Sequence, residues 1–231
     1  MDHILGWQDL VSVPITLLFI YTLANWKYQK YKQTLLGRYF FLGLHLKVVG
    51  CFAHFAYHYY IYGGGDTFAY YQVSLNWIQA FGRLPWETFI SLFQSPEYYD
   101  FNLLEIFSDP FYQTHNERRL TKITSFIGLL TFGSFLSIGL WLSFFAYWGI
   151  WRIFKTFTTI QPHLVKSAAI TTLFIPSIIF WSSSISKDAV TMGCLGLCFH
   201  AIYTIFFIRR INFSVLVSFI VAAYLNSNKK G

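Results

Sequence analysis

Residues 40–62 have the sequence FFLGLHLKVVGCFAHFAYHYYIY, which is apolar or aromatic at nearly every position. A helix needs about 20 such residues to cross the roughly 30 Å hydrocarbon core of a bilayer. The run therefore predicts a membrane-spanning helix, and the number of similar runs elsewhere in the chain decides the fold class.

The chain contains further apolar runs that are long enough, or nearly long enough, to cross a bilayer. We therefore expect an all-α polytopic membrane protein of about six transmembrane helices, with residues 1–231 forming a single transmembrane domain. The additional runs are Val11–Trp26, Ile123–Trp151, Ser167–Ser183, Ala189–Phe207 and Ile211–Leu225.

The composition supports this fold class. Of 231 residues, 55% are hydrophobic, 22% are aromatic and only 12% are charged. A soluble domain carries charge on roughly a quarter of its residues, so an ordinary soluble enzyme, a disordered chain and a secreted disulfide scaffold are excluded. The net charge of +7 lies in short basic clusters between apolar runs. Because this placement is typical of the cytoplasmic loops of membrane proteins, we expect no nucleic-acid partner.

The positive charges also predict the topology, because cytoplasmic loops are enriched in lysine and arginine. The connections at 27–38, 152–166 and 209–210 contain bases and no acids, so we place them in the cytoplasm. Residues 63–122 then form a large outer loop with seven acids and four bases. Within this loop we expect short amphipathic helices at Trp86–Phe93 and Phe101–Phe107, lying on the outer membrane surface.

Three consecutive glycines, Gly63 to Gly65, end the predicted helix at 40–62, which is the second span, and are followed by Asp66, with Tyr70 and Tyr71 shortly after. Glycine lets the backbone turn sharply and approach a ligand closely. A carboxylate at such a bend can accept a proton from a substrate hydroxyl. The alternative is that Asp66 is a solvated turn residue or the cap of the next helix.

A second polar segment follows Pro176, which predicts a kink in the run at 167–183 and frees backbone carbonyls there. Four serines and the pair Lys187–Asp188 come next. A lysine binds phosphate as a point charge, so Lys187 is a phosphate-binding candidate, while Asp188 can pair with it or cap the next helix. The alternative is an ordinary helix hairpin with a polar turn. Because the predicted topology puts Asp66 and Lys187–Asp188 on the same outer face, we expect a site there.

The second predicted span, at 40–62, carries a polar stripe whose members share one face because they recur every three or four residues. Ionisable residues at membrane depth usually face the protein interior or a water-filled cavity, so we expect the stripe to line the approach to Asp66. Two histidines one turn apart can also bind a metal or haem, and a transporter or quinone-linked protein built on the stripe is a further alternative. Further histidine clusters to complete a metal centre are lacking, so no metal ligand is assigned. The stripe comprises Lys47, Cys51, His54, His58 and Tyr62.

A basic cluster of Arg118, Arg119 and Lys122 lies on the predicted outer side, against the general charge trend. Binding of lipid phosphates explains such a cluster, which makes membrane lipids an expected partner. Pairing with the acids of the same loop explains it equally well.

These motifs resemble those of a known family. Gly64-Gly65-Asp66-Thr67 with Tyr70-Tyr71, followed by Pro176-Ser177, Phe180-Trp181-Ser182-Ser183 and Lys187-Asp188, is similar to motifs of bacterial polytopic glycosyltransferases of the GT-C type. That group is related to the dolichyl-phosphate-mannose mannosyltransferases and to some polysaccharide polymerases. The resemblance covers residues 40–225 and rests on short motifs.

The resemblance implies a transferase of cell-envelope polysaccharide biosynthesis, located in the bacterial inner membrane. Its donor partner would be a sugar linked to a polyprenyl phosphate on the outer face. By this resemblance Asp66 matches the acid that acts at the acceptor. The substrate- and phosphate-binding candidates are Lys187, Asp188, Arg118, Arg119, Tyr70 and Tyr71. No cofactor is firmly implied, and a divalent metal is left open.

The chain departs from the family in length, because family members are longer and have more spans and a soluble C-terminal portion. We therefore expect a truncated product or a minimal relative. The alternative functions are a non-catalytic integral membrane subunit or scaffold, and a fragment of a larger transferase or polysaccharide polymerase.

Overall fold

The computed structural model describes residues 5–93 and 115–209, and no strand occurs within them. The all-α prediction is confirmed for this part of the chain. A π-helical turn at Tyr57–Tyr62 extends the second helix, and another at Thr204–Ile208 extends the last. The helices are α1 (Trp7–Tyr28), α2 (Gly37–Ala56), α3 (Asp66–Arg83), α4 (Pro85–Ser91), α5 (His115–Leu130), α6 (Phe135–Ile160), α7 (Val165–Leu173), α8 (Pro176–Trp181) and α9 (Lys187–Tyr203).

Three of the predicted spans are long apolar helices in the structure, namely Trp7–Tyr28, Gly37–Tyr62 and Lys187–Ile208. Large apolar side chains cover their outer surfaces. Because a water-soluble protein rarely exposes so much contiguous apolar surface, these helices are compatible with an integral membrane protein. Examples that are more than half exposed are Leu10, Leu18, Val49 and Phe206.

The predicted span Ile123–Trp151 is interrupted in the structure. Residues 131–134 separate α5 from α6, and the two helices are bent by 118°. Phe132 and Gly133 have positive φ angles of 54° and 71°, which no helix accommodates, and Ser134 Oγ then caps α6 by accepting from the N–H of Ser137. If the bent pair is one broken span, the described residues contain four candidate spans rather than three.

The predicted span Ser167–Ser183 is also broken, into α7 and the short α8. Proline disfavours the helical conformation in the residue before it, and Ile175 is accordingly extended, with φ −69° and ψ 119°. The kink predicted at Pro176 is confirmed, but the segment does not form one long helix. The predicted sixth span, Ile211–Leu225, and the predicted helix Phe101–Phe107 lie outside the described residues.

Helix α6 is central and packs against α1, α2, α7 and α9. Its buried aromatic side chains meet those of α2, as in the edge-to-face contact of Phe40 with Trp151 at 4.8 Å between ring centroids. Against α9 the packing is through glycine, because a Cβ atom added to Gly196 would overlap the carbonyl group of Gly149. Small residues of this kind let two membrane helices approach closely.

Helix α3 was not predicted, because only short helices were expected between residues 63 and 122. It is 18 residues long and packs against α5, burying Tyr70 and Trp77. The next helix, α4, occupies Pro85–Ser91, where Trp86–Phe93 was predicted.

Side chains from α1 and α3 hold the break between α5 and α6. Ser134 Oγ donates to Asp9 Oδ1 at 2.6 Å, and the Tyr71 hydroxyl donates to the carbonyl oxygen of Gly133 at 2.7 Å. Both acceptor–donor pairs are buried. The Tyr71 bond satisfies a backbone carbonyl freed by the break, as such groups require where water is absent.

Candidate functional site

A cavity of about 410 Å³ lies where the end of α2, the start of α3, the end of α8 and the start of α9 meet. It brings together Asp66, Lys187 and Asp188, which the sequence predicted to share one face. Six histidine, tyrosine and tryptophan side chains contribute rings to its surface. The full lining is His54, Tyr57, His58, Tyr62, Asp66, Thr67, Tyr70, Trp181, Ile185, Ser186, Lys187 and Asp188.

Asp66 reaches the cavity because the glycine turn before it reverses the chain. Gly63, Gly64 and Gly65 have φ angles of 68°, 153° and 97°, a region that residues with a Cβ atom rarely adopt. A Cβ atom on Gly65 would also lie 2.7 Å from the ring of Tyr62. Gly65 is the N-cap of α3, so Asp66 is its first helical residue and remains exposed, with its charge next to the positive end of the helix.

Lys187 begins α9, just after Ser186, whose hydroxyl caps the helix by accepting from the N–H of Ala189 at 3.0 Å. The Nζ atom of Lys187 lies 3.2 Å from Oε1 of Glu117 and 5.5 Å from the ring centroid of Tyr70. The side chain of Lys187 is 44% exposed, so this ion pair is weak. An incoming phosphate can therefore compete with Glu117 for the ammonium group.

Tyr70 is buried beneath Lys187 and exposes 1% of its surface. Burial raises the pKa of the Tyr70 hydroxyl, while the hydrogen bond and charge of Lys187 lower it in part. The phenol is consequently protonated at neutral pH, and it lines the cavity as a neutral group next to a cation.

The segment that carries Lys187 is anchored from α2 and α6. Lys47, only 3% exposed, donates to the carbonyl oxygen of Ile178 at 2.8 Å and to Ser182 Oγ at 2.6 Å. The N–H of Ser184 donates to Ser143 Oγ at 2.8 Å. These bonds satisfy polar groups in the connection between α8 and α9, and they fix where α9 begins.

The predicted polar stripe divides into two parts in the structure. Lys47 and Cys51 are enclosed by the neighbouring helices, while His54, His58 and Tyr62 line the cavity beside Asp66. The rings of His54 and His58 lie 4.4 Å apart between centroids. Within the described residues, no group of three or more histidine, cysteine, aspartate or glutamate side chains is arranged to hold a metal ion.

Three predicted site residues are absent from the cavity lining. Tyr71 points instead to the break between α5 and α6, where it binds Gly133. Arg118 and Arg119 lie half-buried on α5, immediately after Glu117. Their predicted role in binding lipid phosphate stays a prediction.

Several lining residues were not predicted as site residues, among them Tyr57, Thr67 and Trp181. Trp181 and Asp188 also border a second cavity of about 330 Å³ between α8 and α9. The pairing of Glu117 with Lys187 was not predicted either, because it joins helices that are far apart in the chain and no local pattern signals it.

Comparisons of the chain with protein-family profiles, with curated proteins and with solved structures gave no match. The resemblance to GT-C glycosyltransferases thus depends on the short motifs alone, and the function is best argued from the cavity.

Proposed function

We propose that this chain is an integral membrane glycosyltransferase that moves a sugar from a polyprenyl-phosphate donor to a hydroxyl acceptor on the outer face of a bacterial inner membrane. The proposal rests on one observation. Asp66 and Lys187 line the same cavity, although they lie on helices that are distant in sequence. A proton acceptor and a phosphate-binding cation are the two groups that this reaction requires.

Lys187 would hold the phosphate of the donor. Its ammonium group is partly exposed at the cavity, and its present partner Glu117 is a single carboxylate in a weak pair. Its position at the start of α9 adds the positive end of that helix to the attraction for an anion. A lipid phosphate can reach this position from the bilayer, because α2 and α9, which line the cavity, belong to candidate membrane spans.

Asp66 would accept the proton of the acceptor hydroxyl. As the proton moves to the carboxylate, the acceptor oxygen attacks the anomeric carbon and the bond from that carbon to the phosphate oxygen breaks. The electron pair of the broken bond leaves with the polyprenyl phosphate, whose added negative charge Lys187 stabilises. Within the described residues, the Asp66 carboxylate has no hydrogen-bond partner that would hold it away from a substrate.

The aromatic rings that line the cavity are suited to binding a sugar. Tyr57, Tyr62 and Trp181 line it together with the polar groups. The carbon-bound faces of a pyranose are apolar, so they pack on such rings while the hydroxyls turn to polar side chains.

Phosphate binding is tested with dodecyl phosphate added to the purified chain in phosphatidylcholine nanodiscs. Lys187→Met should weaken binding about tenfold or more, because a charge-assisted contact is lost. The matched control is Lys30→Met, which removes an exposed lysine far from the cavity. Equal losses in both variants would mean that only general charge attraction is measured.

Transfer is tested with membranes that contain a polyprenyl-phosphate-linked radiolabelled sugar. Asp66→Asn should reduce transfer by about a hundredfold or more, as loss of a general base does, while Glu87→Gln, an exposed carboxylate outside the lining, should not. Undiminished transfer by Asp66→Asn would remove Asp66 from the reaction. Lysine-dependent phosphate binding without transfer by the native chain would favour the non-catalytic subunit instead.

A further inference from the structure

Two neighbouring histidines, His54 and His58, form one side of the cavity, which we name the histidine wall. The proposed transfer assigns no role to them. Both are nearly buried, at 2% and 9% exposure, and both line the cavity. Ionisable side chains are rare within membrane spans, and those that face a cavity commonly mark a binding site.

The turn at Gly64 fixes the tautomer of His58. Its Nδ1 atom lies 3.0 Å from the carbonyl oxygen of Gly64, and the N–H of Gly64 donates back to the carbonyl oxygen of His58 at 3.3 Å. Since a carbonyl oxygen only accepts, Nδ1 must carry a hydrogen. In the neutral ring Nε2 is then an acceptor, and no hydrogen bond occupies it within the described residues.

His54 adds a second unpaired nitrogen. Its Nδ1 atom is buried and has no hydrogen-bond partner among the described residues. Nearly all buried polar atoms in native structures have a partner, which can be a protein group, a water molecule or a ligand. The histidine wall thus offers hydrogen-bonding capacity that the described residues leave unused.

The surroundings of the wall determine which ligand chemistry fits. The wall itself holds no lysine or arginine that would attract an anion, and a metal ion lacks a third ligand within the described residues. A hydroxyl group both donates and accepts, so it can use a ring nitrogen in either state. The adjacent rings of Tyr57 and Tyr62 suit the apolar faces of a hydroxyl-rich molecule.

We propose that His54 and His58 form a subsite for a neutral, hydroxyl-rich group, separate from the phosphate-binding Lys187. The choice of a sugar as that group rests on the proposed function. In the subsite, Nε2 of His58 accepts a hydrogen bond from a sugar hydroxyl while Nδ1 stays bound to Gly64.

The test uses dodecyl glucoside, which carries a sugar and no phosphate, and the full chain in phosphatidylcholine nanodiscs, with empty nanodiscs as the blank. His58→Asn places an amide nitrogen where Nδ1 was, so it keeps the bond to Gly64 and loses the acceptor at Nε2. His58→Gln places its amide group near the former Nε2 and loses the bond to Gly64. We expect His58→Asn to bind dodecyl glucoside about fivefold to tenfold more weakly, and His58→Gln to bind it within about twofold of the native chain.

If His58 had a purely structural role, the order of the two affinities would be reversed. His58→Asn would then bind the glucoside more tightly than His58→Gln, because the asparagine variant preserves the turn. Weak binding by His58→Gln, or native binding by His58→Asn, therefore overturns the proposal. Dodecyl phosphate binding and its dependence on Lys187 report separately on the proposed function, so the two can fail independently.

A second measurement avoids substitutions. Diethyl pyrocarbonate modifies unprotonated imidazoles, and peptide mass spectrometry gives the rate for each histidine. At ten times its dissociation constant, dodecyl glucoside should slow modification of His58 about tenfold and leave the exposed His163 unaffected. Equal rates at His58 with and without the glucoside also overturn the proposal.

Discussion

Replacing Gly196 with alanine should destabilise the packing of α6 against α9. A Cβ atom at this position would overlap three backbone atoms of Gly149, its Cα, carbonyl carbon and carbonyl oxygen. Backbone atoms cannot move aside by a rotamer change, so the two helices must separate over several residues. Overpacking of this kind costs about 1–3 kcal/mol, and we expect a value near 3 because all three contacts are with backbone.

A gain in helix propensity opposes this cost. Alanine is favoured over glycine inside a helix by about 1 kcal/mol, which leaves a net destabilisation of about 2 kcal/mol for Gly196→Ala. Gly82→Ala is the matched control, since a Cβ atom there meets nothing within 4 Å and Gly82 lies in α3. That variant has only the propensity gain, so it should be as stable as the native chain or slightly more stable.

Gly193→Ala gives an intermediate case. The added Cβ atom would overlap the ring of Phe145, a side chain that can rotate. We expect its destabilisation to fall between those of the other two variants. Unfolding by sodium dodecyl sulfate, followed by circular dichroism of the purified chain, ranks all three. If Gly196→Ala unfolds at the same detergent fraction as Gly82→Ala or a higher one, the close approach of α6 and α9 is refuted.

Three further substitutions address the site and its support. Glu117→Gln should strengthen dodecyl phosphate binding about twofold to fivefold, because Glu117 competes with phosphate for Lys187; weaker binding would contradict that competition. Tyr71→Phe should destabilise the chain by about 1 kcal/mol in the same detergent titration by removing the bond to Gly133, and an unchanged midpoint would mean that this bond contributes nothing. Gly65→Ala should strain the turn by about 1–3 kcal/mol because its φ of 97° disfavours a Cβ atom, and transfer should fall with it; native transfer would show that the turn adapts.

Hydrophobic run length was sufficient to predict the three long apolar helices that are candidate spans, because the bilayer thickness fixes how many apolar residues a span needs. It failed where local backbone chemistry interrupts an apolar run. The break before Pro176 has a clear signal in the proline itself, but the break at Phe132–Gly133 lies in a sequence that is apolar on both sides. Only the positive φ angles and the partners supplied by distant helices distinguish it from a continuous span.

The sequence pattern was enough to predict which charged groups lie together, although their role as a functional site stays a prediction. The charge pattern placed Asp66 and Lys187 on one side, and the structure brings them into one cavity. The pattern could not separate Tyr70 from Tyr71, which are adjacent in sequence and lie on different sides of α3. Tyr70 lines the cavity, while Tyr71 binds the break between α5 and α6.

The scarcity of polar groups in the chain explains why the site lies at helix breaks. Each break frees backbone donors and acceptors that need partners in the absence of water, and Lys47 and Tyr71 are used in this way. With those bonds made, the polar residues next to the breaks need not satisfy the backbone. Asp66 and Lys187 are such residues, since each begins a helix immediately after an interruption and faces the cavity. A substitution of Lys47 should therefore affect phosphate binding through the position of α9, even though Lys47 does not line the cavity.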